Sequence, residues 1–336
     1  MKTTLHSITQ RGVIAATLIA LAATSARAEV EDKIIKTFSV QPGSQLVVQV
    51  DRGNIEVGTA DSSAVEVTVT RKAGGSESKA AQTLKEHVVT ITQKDNTVDV
   101  RAEFPGQKSS GWSWGNPNLK VNYHITVPRK FNVDLKTAGG DVKINELTGK
   151  ADAASSGGNL NFTKIAGPLT ARTSGGNITL AMIQGPVQIS TSGGNLHLTD
   201  VEGDVNARTS GGEIQVEKIT GHAVVKTSGG DIKVSGIKGQ IEAGTSGGDI
   251  TAKFAESPTG DSSFKTSGGD VTIELGATVA VDLDAATSGD KVMSDFPVVS
   301  TTDAKPKKNK LSGKINGGGP TLVARTSGGS VRIEKK

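Results

Sequence analysis

The chain has 336 residues with 42 glycines, no cysteine and only 3% aromatic side chains, which excludes a disulfide framework and argues against a thick aromatic core. Its formal charge of +4 falls to +1 without residues 1–28, which hold three basic residues (Lys2, Arg11, Arg27) and no acid. That is no basic excess of the kind nucleic-acid binding needs, so no nucleic-acid partner is expected.

The chain opens with a basic start, Lys2 and Arg11, followed by an apolar run over 13–23 and the small-residue site Ala26-Arg27-Ala28. This is the pattern of a secretory signal peptide, with cleavage expected after Ala28. The apolar run is too short for a membrane helix, and no later stretch reaches the ~20 apolar residues required. The expectation is an exported bacterial protein without a membrane span, in the periplasm or at the cell surface.

Residues 29–136 are irregular. Strand-like runs lie at Gln45–Val50, Ala64–Thr70, Val88–Thr92, Thr97–Glu103 and Lys120–Val127, and Ser76–Glu86 is a helix candidate free of glycine and proline. This region reads as the first coils plus a cap, which a repetitive stack needs at its ends. Within it, "KSSGWSWGNPN" from Lys108 holds both tryptophans, Trp112 and Trp114, in a loop-type sequence. Exposed indole faces stack on sugars or anchor partners; folded back, they would cover the rim of the core.

Residues 137–336 are dominated by one word. T-S-G-G occurs with its threonine at 173, 191, 209, 227, 245, 266 and 326. Aligned on it, Thr137, Ser155, Thr173, Thr191, Thr209, Thr227 and Thr245 are eighteen apart, and steps of twenty-one lead on to Thr266 and Thr287. A fixed period of this size predicts a solenoid. Within a unit, Ile178 and Leu180 alternate with polar residues, Gly185 breaks the run, and Val187, Ile189 and Thr191 alternate again, giving two short strands per coil. The apolar positions recur as columns headed by Leu160, Leu169 and Ala171.

The predicted fold is therefore all-β, a single-stranded parallel β-helix with coils of about eighteen residues. Each coil should climb ~4.8 Å, and right-handed winding is expected from the hand of parallel crossovers. The word itself reads as a corner: a threonine facing in, a serine starting the bend, and two glycines permitting positive φ or close coil-to-coil approach. The candidate structural corners are Thr173, Gly175 and Gly176; Thr191, Gly193 and Gly194; Thr209, Gly211 and Gly212; Thr227, Gly229 and Gly230; and Thr245, Gly247 and Gly248.

Charges straddle these corners at a spacing of five, as in Lys136/Asp141, Arg208/Glu213, Lys226/Asp231 and Lys265/Asp270, and predict ion pairs. Asp231, Asp249 and Asp270 should stack, either as a cation-binding ladder or as a solvated one. A second interruption, "TTDAKPKKNK" ending at Lys310, places Lys305, Lys307, Lys308 and Lys310 around Pro306. These lysines are candidates for contact with anionic envelope polymers or lipid head groups; the alternative is a solvated loop. Arg332, Lys335 and Lys336 should guard the far edge.

The T-S-G-G-[DN]-[IL] corners, "VDRGNIEV" at Val50–Val57 and the closing "INGGGPTLVARTSGGSVRIEKK" from Ile315 resemble the bacterial putative-adhesin family. The resemblance covers nearly all of the chain after residue 28. It implies a secreted or envelope-associated β-solenoid of mostly unassigned molecular function, and it supplies no catalytic residues.

Enzyme readings are weak. Gly244-Thr245-Ser246-Gly247-Gly248 fits G-x-S-x-G, but a nucleophile elbow needs a following helix, and this serine recurs in every coil. His87, His124, His197 and His222 show no metal-ligand spacing, and the G-G-x-G-x-D calcium repeat is not matched. No catalytic, metal or cofactor residue is assigned. The expected function is a non-enzymatic, adhesin-like binding or structural protein whose partner is an envelope glycan or envelope protein. An accessory protein that binds another protein and a carbohydrate-active β-helix enzyme are the alternatives.

Overall fold

Residues 29–41, 43–105, 118–300 and 307–336 are described by the computed structural model. The period-two alternation becomes strands and the eighteen-residue return becomes stacking. Each regular coil gives one strand to each of two fourteen-stranded, mainly parallel sheets, whose inward residues form a single core. Ile178–Gln184 lies in the first sheet and Val187–Ser190 in the second, with Gly185-Pro186 turning between them. Leu160, Ile178, Leu196, Ile214, Ile232, Ile250 and Val271 are successive partners in one buried column. Leu169, Val187, Val205, Ala223 and Ile241 make a second, and Ala171, Ile189, Ala207, Val225 and Ala243 a third.

The corner after four successive first-sheet strands uses positive φ. Gly149, Gly167, Gly185 and Gly203 have φ between +134° and +148°. Just before it, Glu146, Lys164, Met182, Asp200 and Lys218 sit in the left-handed region at φ of +57° to +63°, and Gly236 occupies the same position at +64°. Phe162 and Ile165 both point inward around Lys164, so each strand carries a bulge that stacks on the next.

The ends depart from chain order. Gln45–Val50 and Asn54–Ala60 form a coil that stacks on Asn132–Thr137 and Val142–Thr148 on one side. On its other side lie Thr97–Glu103 and Leu119–Pro128, which come later in the chain. Antiparallel strands close this end: Val30–Ser39 on Ala64–Ala73 on Leu119–Pro128, and Val88–Lys94 on Thr97–Glu103. The helix forms at Glu77–Glu86, as expected, and buries Ala80, Thr83 and Leu84. The buried Arg71 guanidinium donates to the carbonyls of Leu84 and His87 and pairs with Asp32, tying the helix C-terminus to two strands.

The far end corrects two expectations. The sequence order Thr266, Thr287, Thr326 is not the spatial order. Thr321–Thr326 inserts between Ser262–Lys265 and Val281–Thr287, and Val331–Lys335 inserts between Val271–Leu275 and Val292–Ser294. Arg332 is consequently paired on both sides and is no edge guard. The outermost strand of the second sheet is Lys310–Ile315, antiparallel to Val281–Thr287.

A clasp holds the inserted strand. Arg325 donates to the Asp284 carbonyl at 2.7 Å and pairs with its carboxylate, which also accepts from Ser312 at 3.0 Å. Partial burial pushes the Asp284 carboxyl up, but the bonds from Arg325 and Ser312 outweigh it and leave the group below its ordinary value. A depressed folded value means that the carboxylate contributes stability above the unfolded value of about 3.9, which is lost as pH falls through the folded value. Asp284→Asn is expected to destabilise the protein at pH 7 and to flatten the loss of stability below about pH 4. Urea unfolding across that range checks it, and an unaltered pH profile would remove the clasp.

Candidate functional site

The T-S-G-G corners hold the serine of the G-x-S-x-G match, and their geometry shows what each residue of the word does. The threonine hydroxyl faces in and is used twice. Thr209 Oγ1 donates to the Gly194 carbonyl of the preceding coil at 2.9 Å and accepts from Gly212 N at 3.3 Å. Thr173, Thr191, Thr227 and Thr245 repeat both bonds. Ser155 makes the same pair, with Gly140 and Gly158, so the position requires a hydroxyl and not a threonine as such. The word's serine and first glycine donate their N–H groups to the preceding serine's carbonyl, as Ser192 and Gly193 do to Ser174.

The two glycines have different reasons, and neither is positive φ. A Cβ on the second glycine (Gly176, Gly194, Gly212, Gly230 or Gly248) would overlap the carbonyl of the equivalent glycine one coil earlier. A Cβ on the first would meet its nearest neighbours at ordinary distances of 3.8 Å at Gly175 and Gly193, 3.7 Å at Gly211, 3.6 Å at Gly229 and 3.5 Å at Gly247. Close approach fixes the second glycine; the first is sterically free.

The residue after the word makes a third ladder. Asn177 Oδ1 accepts the Asn195 N–H at 2.7 Å, Asp231 Oδ1 that of Asp249 at 2.8 Å, and Asp249 Oδ1 that of Asp270 at 2.8 Å. The stacked aspartates therefore spend one oxygen each on the backbone of the next coil, and among the described residues no His/Cys/Asp/Glu group is arranged to hold a metal. The ion pairs across the corners also differ from the expected spacing of five. Lys136 pairs with Asp134, Lys226 with Glu242, Lys233 with Glu213 and Arg332 with Asp270. A spacing of five carries the chain around the corner, whereas a neighbour in the same or the adjacent strand is nearer.

The histidines assemble no triad. His197 faces Thr199 at 3.2 Å, and His124 faces Glu56 at 3.5 Å on the surface. His87 is buried, with Nε2 3.2 Å from Asp51 Oδ1 and its ring 5.0 Å from Phe104, which Arg52 covers. Tyr123 is buried in the same end of the molecule, and that burial, with the charge of Asp51, raises its phenol far above its ordinary value. No serine or threonine hydroxyl lies within hydrogen-bond reach of a buried histidine among the described residues.

Of the candidate contacts, Trp112, Trp114 and Lys305 lie outside the described residues. Lys307, Lys308 and Lys310 belong to a short antiparallel turn that seats on the capping strands: Lys310 N donates to the Lys307 carbonyl at 3.3 Å, and Val292 N to the Lys308 carbonyl at 2.9 Å. These three are thus part of the far cap, with exposed ammonium groups. Two shallow grooves of about 640 and 400 Å³ lie elsewhere, the first beside Gln49, Arg101 and Lys136 and the second beside Glu146, Lys164 and Met182.

The geometry defines a flattened, two-sheet parallel β-solenoid whose repeated polar residues serve its own backbone. Residues 168–334 match the model of the Toastrack DUF4097 family. A comparison with curated proteins gives no match. Solved structures with some likeness include a protein described as a putative adhesin from Bacteroides fragilis, 12% identical, covering 91% of this chain and 97% of its own, with a TM-score of 0.33. Another is described as a putative lipid binding protein from Parabacteroides distasonis, 11% identical, covering 90% and 96%, with a TM-score of 0.39. A third is described as a putative cell adhesion protein from Clostridium sporogenes, 12% identical, covering 91% and 100%, with a TM-score of 0.22.

The corner geometry predicts an asymmetric pair. Gly194→Ala is expected to cost roughly 1–3 kcal/mol, while Gly193→Ala stays within about 0.5 kcal/mol; equal melting shifts would refute the close-approach role. Thr209→Val should cost about 1–3 kcal/mol by stranding the Gly194 carbonyl and the Gly212 N–H. Thr209→Ser should keep most of the stability, and an equally damaged serine variant would mean that the methyl group, not the hydroxyl, matters.

Proposed function

We propose that this chain is an exported, non-enzymatic binding scaffold of the bacterial envelope, adhesin-like in that a long repetitive surface meets an envelope glycan. The observation that carries the reading is the use of the repeated hydroxyls, amides and carboxylates as inter-coil ladders, which leaves outward-facing side chains as the means of contact. Ladders of this kind give a rigid surface, and rigidity lowers the ordering cost of binding. Export rests on the signal pattern of residues 1–28 and suits a chain without cysteine.

Contact is assigned to Trp112 and Trp114 and to Lys305, Lys307, Lys308 and Lys310. Of these, Lys307, Lys308 and Lys310 border the C-terminal cap.

The test is binding of the mature chain, from Glu29, to isolated envelope polysaccharide and lipopolysaccharide at low and high salt. Saturable binding is expected, reduced at least tenfold by Trp112→Ala/Trp114→Ala. Binding unchanged in that variant would remove the tryptophans from the site. Absence of any glycan binding, or turnover abolished by replacing one acid, would overturn the reading.

A further inference from the structure

The residue before each corner hydroxyl faces outward on the second sheet, and the strand register stacks these residues into one column. From Lys136 the successive rungs are Ala154, Arg172, Ser190, Arg208, Lys226, Gly244, Lys265 and Arg325. Six of these nine rungs are cations, the other three are small and neutral, and none is an acid. Through Gln49, the column continues to Arg101 at the capped N-terminal end; through Ala286, it reaches Lys310 at the other.

The spacing has a pattern. Lys136, Arg172 and Arg208 are two rungs apart, as are Lys226 and Lys265, which sets cations ~9.6 Å from one another at ~4.8 Å per rung. At that distance, near the Debye length of ~8–10 Å, neighbouring like charges repel weakly. Small residues between them leave each long side chain room to lie along the face.

The neighbouring outward column differs along its length. Near the ends, Asp134, Glu242 and Asp284 pair with Lys136, Lys226 and Arg325, and Asp152, the next in this column after Asp134, pairs with Lys150. In the middle this column reads Thr170, Gln188, Asn206 and Val224, without charge. Among the described residues Arg172 and Lys265 make no ion pair, although Lys265 is near enough to Glu242 to help hold its carboxyl below the ordinary value, and Arg208 donates to the neutral Asn206 at 2.9 Å. A groove of about 390 Å³ follows this neighbouring column, lined by Thr170, Gln188 and Asn206 and, on the side away from the cations, by Pro168, Pro186, Asp204 and His222; the Asp204 carboxylate there accepts the His222 N–H. Exposed cations outside ion pairs, beside a groove whose near wall offers a hydroxyl and two side-chain amides, suit an anion whose own neutral polar groups also need hydrogen bonds.

Resting on the glycan-binding reading above, we infer that the second sheet binds a linear anionic polysaccharide laid along the solenoid axis, with one carboxylate or phosphate per disaccharide. An extended disaccharide is about two rungs long, so its charges fall on alternate rungs while its hydroxyls and amides meet Thr170, Gln188 and Asn206. Double-stranded DNA fits poorly. It carries a charge every ~1.7 Å of axis, several times denser than the stripe, and the outward face offers no aromatic ring for bases.

The test uses hyaluronan oligosaccharides, which have one carboxylate per disaccharide, with neutral dextran and a DNA duplex of similar length as comparators. Affinity for hyaluronan is expected to rise with each added disaccharide up to about four, the number that spans Lys136 to Arg325 at ~4.8 Å per rung. It should weaken steeply with salt as counterions are released. Arg172→Gln/Arg208→Gln/Lys265→Gln should lose at least tenfold in affinity and show a shallower salt dependence, with its melting temperature unchanged because all three side chains are exposed. Lys233→Gln/Lys253→Gln, on the first sheet, should bind as the parent does. Equal binding of dextran, tighter binding of DNA, a triple variant that binds like the parent, or affinity that stops growing at one disaccharide would each overturn the stripe. If envelope polysaccharide still binds in any of those cases, the glycan-binding reading survives; if no polysaccharide binds at all, both fall.

Discussion

The structure depends on a contact that tolerates no side chain. At every T-S-G-G corner the second glycine lies against the carbonyl of the same glycine one coil before, so close that a Cβ has nowhere to go. Once that distance is set, the rise per coil is set, and with it the register of both sheets. The threonine hydroxyl and the asparagine or aspartate carbonyl then reach the neighbouring coil at hydrogen-bond distance, coil after coil. A shift of one residue would bring every inward column to the surface. The corner thus acts as a gauge, and the apolar columns are regular because the corner is.

A stack built this way has no natural end, since each outer strand offers unpaired N–H and C=O groups to the next chain. Both ends solve this by folding the chain back over itself. At the N-terminal end three antiparallel strands and a helix cover the last coils, and Lys36 and Gln93 donate to the Ile91 and Ser39 carbonyls across the cap. At the other end the final twenty or so residues enter between coils made earlier, leaving Lys310–Ile315 outermost. Strands inserted in this way pair over long sequence separations, so the ends belong to the slower, non-local class of contacts. The middle coils resemble an open-ended repeat, but the ends fix the number.

The sequence made the period, the apolar columns and the function of the corner threonine legible, because each depends on residue type at fixed spacing. It could not show coil order at the C-terminal end: Thr287 and Thr326 satisfy the same pattern, and only the pairing of Ser262–Lys265 with Thr321–Thr326 separates them. Val30–Ser39 escaped notice because it is an edge strand with no fully buried face. The stacked left-handed residues were equally hidden, since Glu146, Lys164, Met182, Asp200 and Lys218 share no chemistry, and only Gly236 hints at their φ. The ladder that absorbs the acidic column was hidden as well, because an aspartate reads as a charge in sequence and acts here first as an acceptor for a backbone amide.

The basic stripe was within reach of the sequence, one position before a word already aligned. What concealed it was its incompleteness: Ala154, Ser190 and Gly244 interrupt the row, and an interrupted row looks like chance in a linear text. Physically the interruptions are what make the row sustainable. Cations on adjacent rungs, ~4.8 Å apart, repel by about 1 kcal/mol even in water, and a full row would accumulate that cost along the whole sheet. Where adjacent cations do occur, at Arg208/Lys226 and Lys265/Arg325, one member of each pair has an acid beside it, Glu242 for Lys226 and Asp284 for Arg325. The same gauge that spaces the core therefore spaces the charges, and it leaves the unpaired ones, Arg172, Arg208 and Lys265, available to a ligand of matching period.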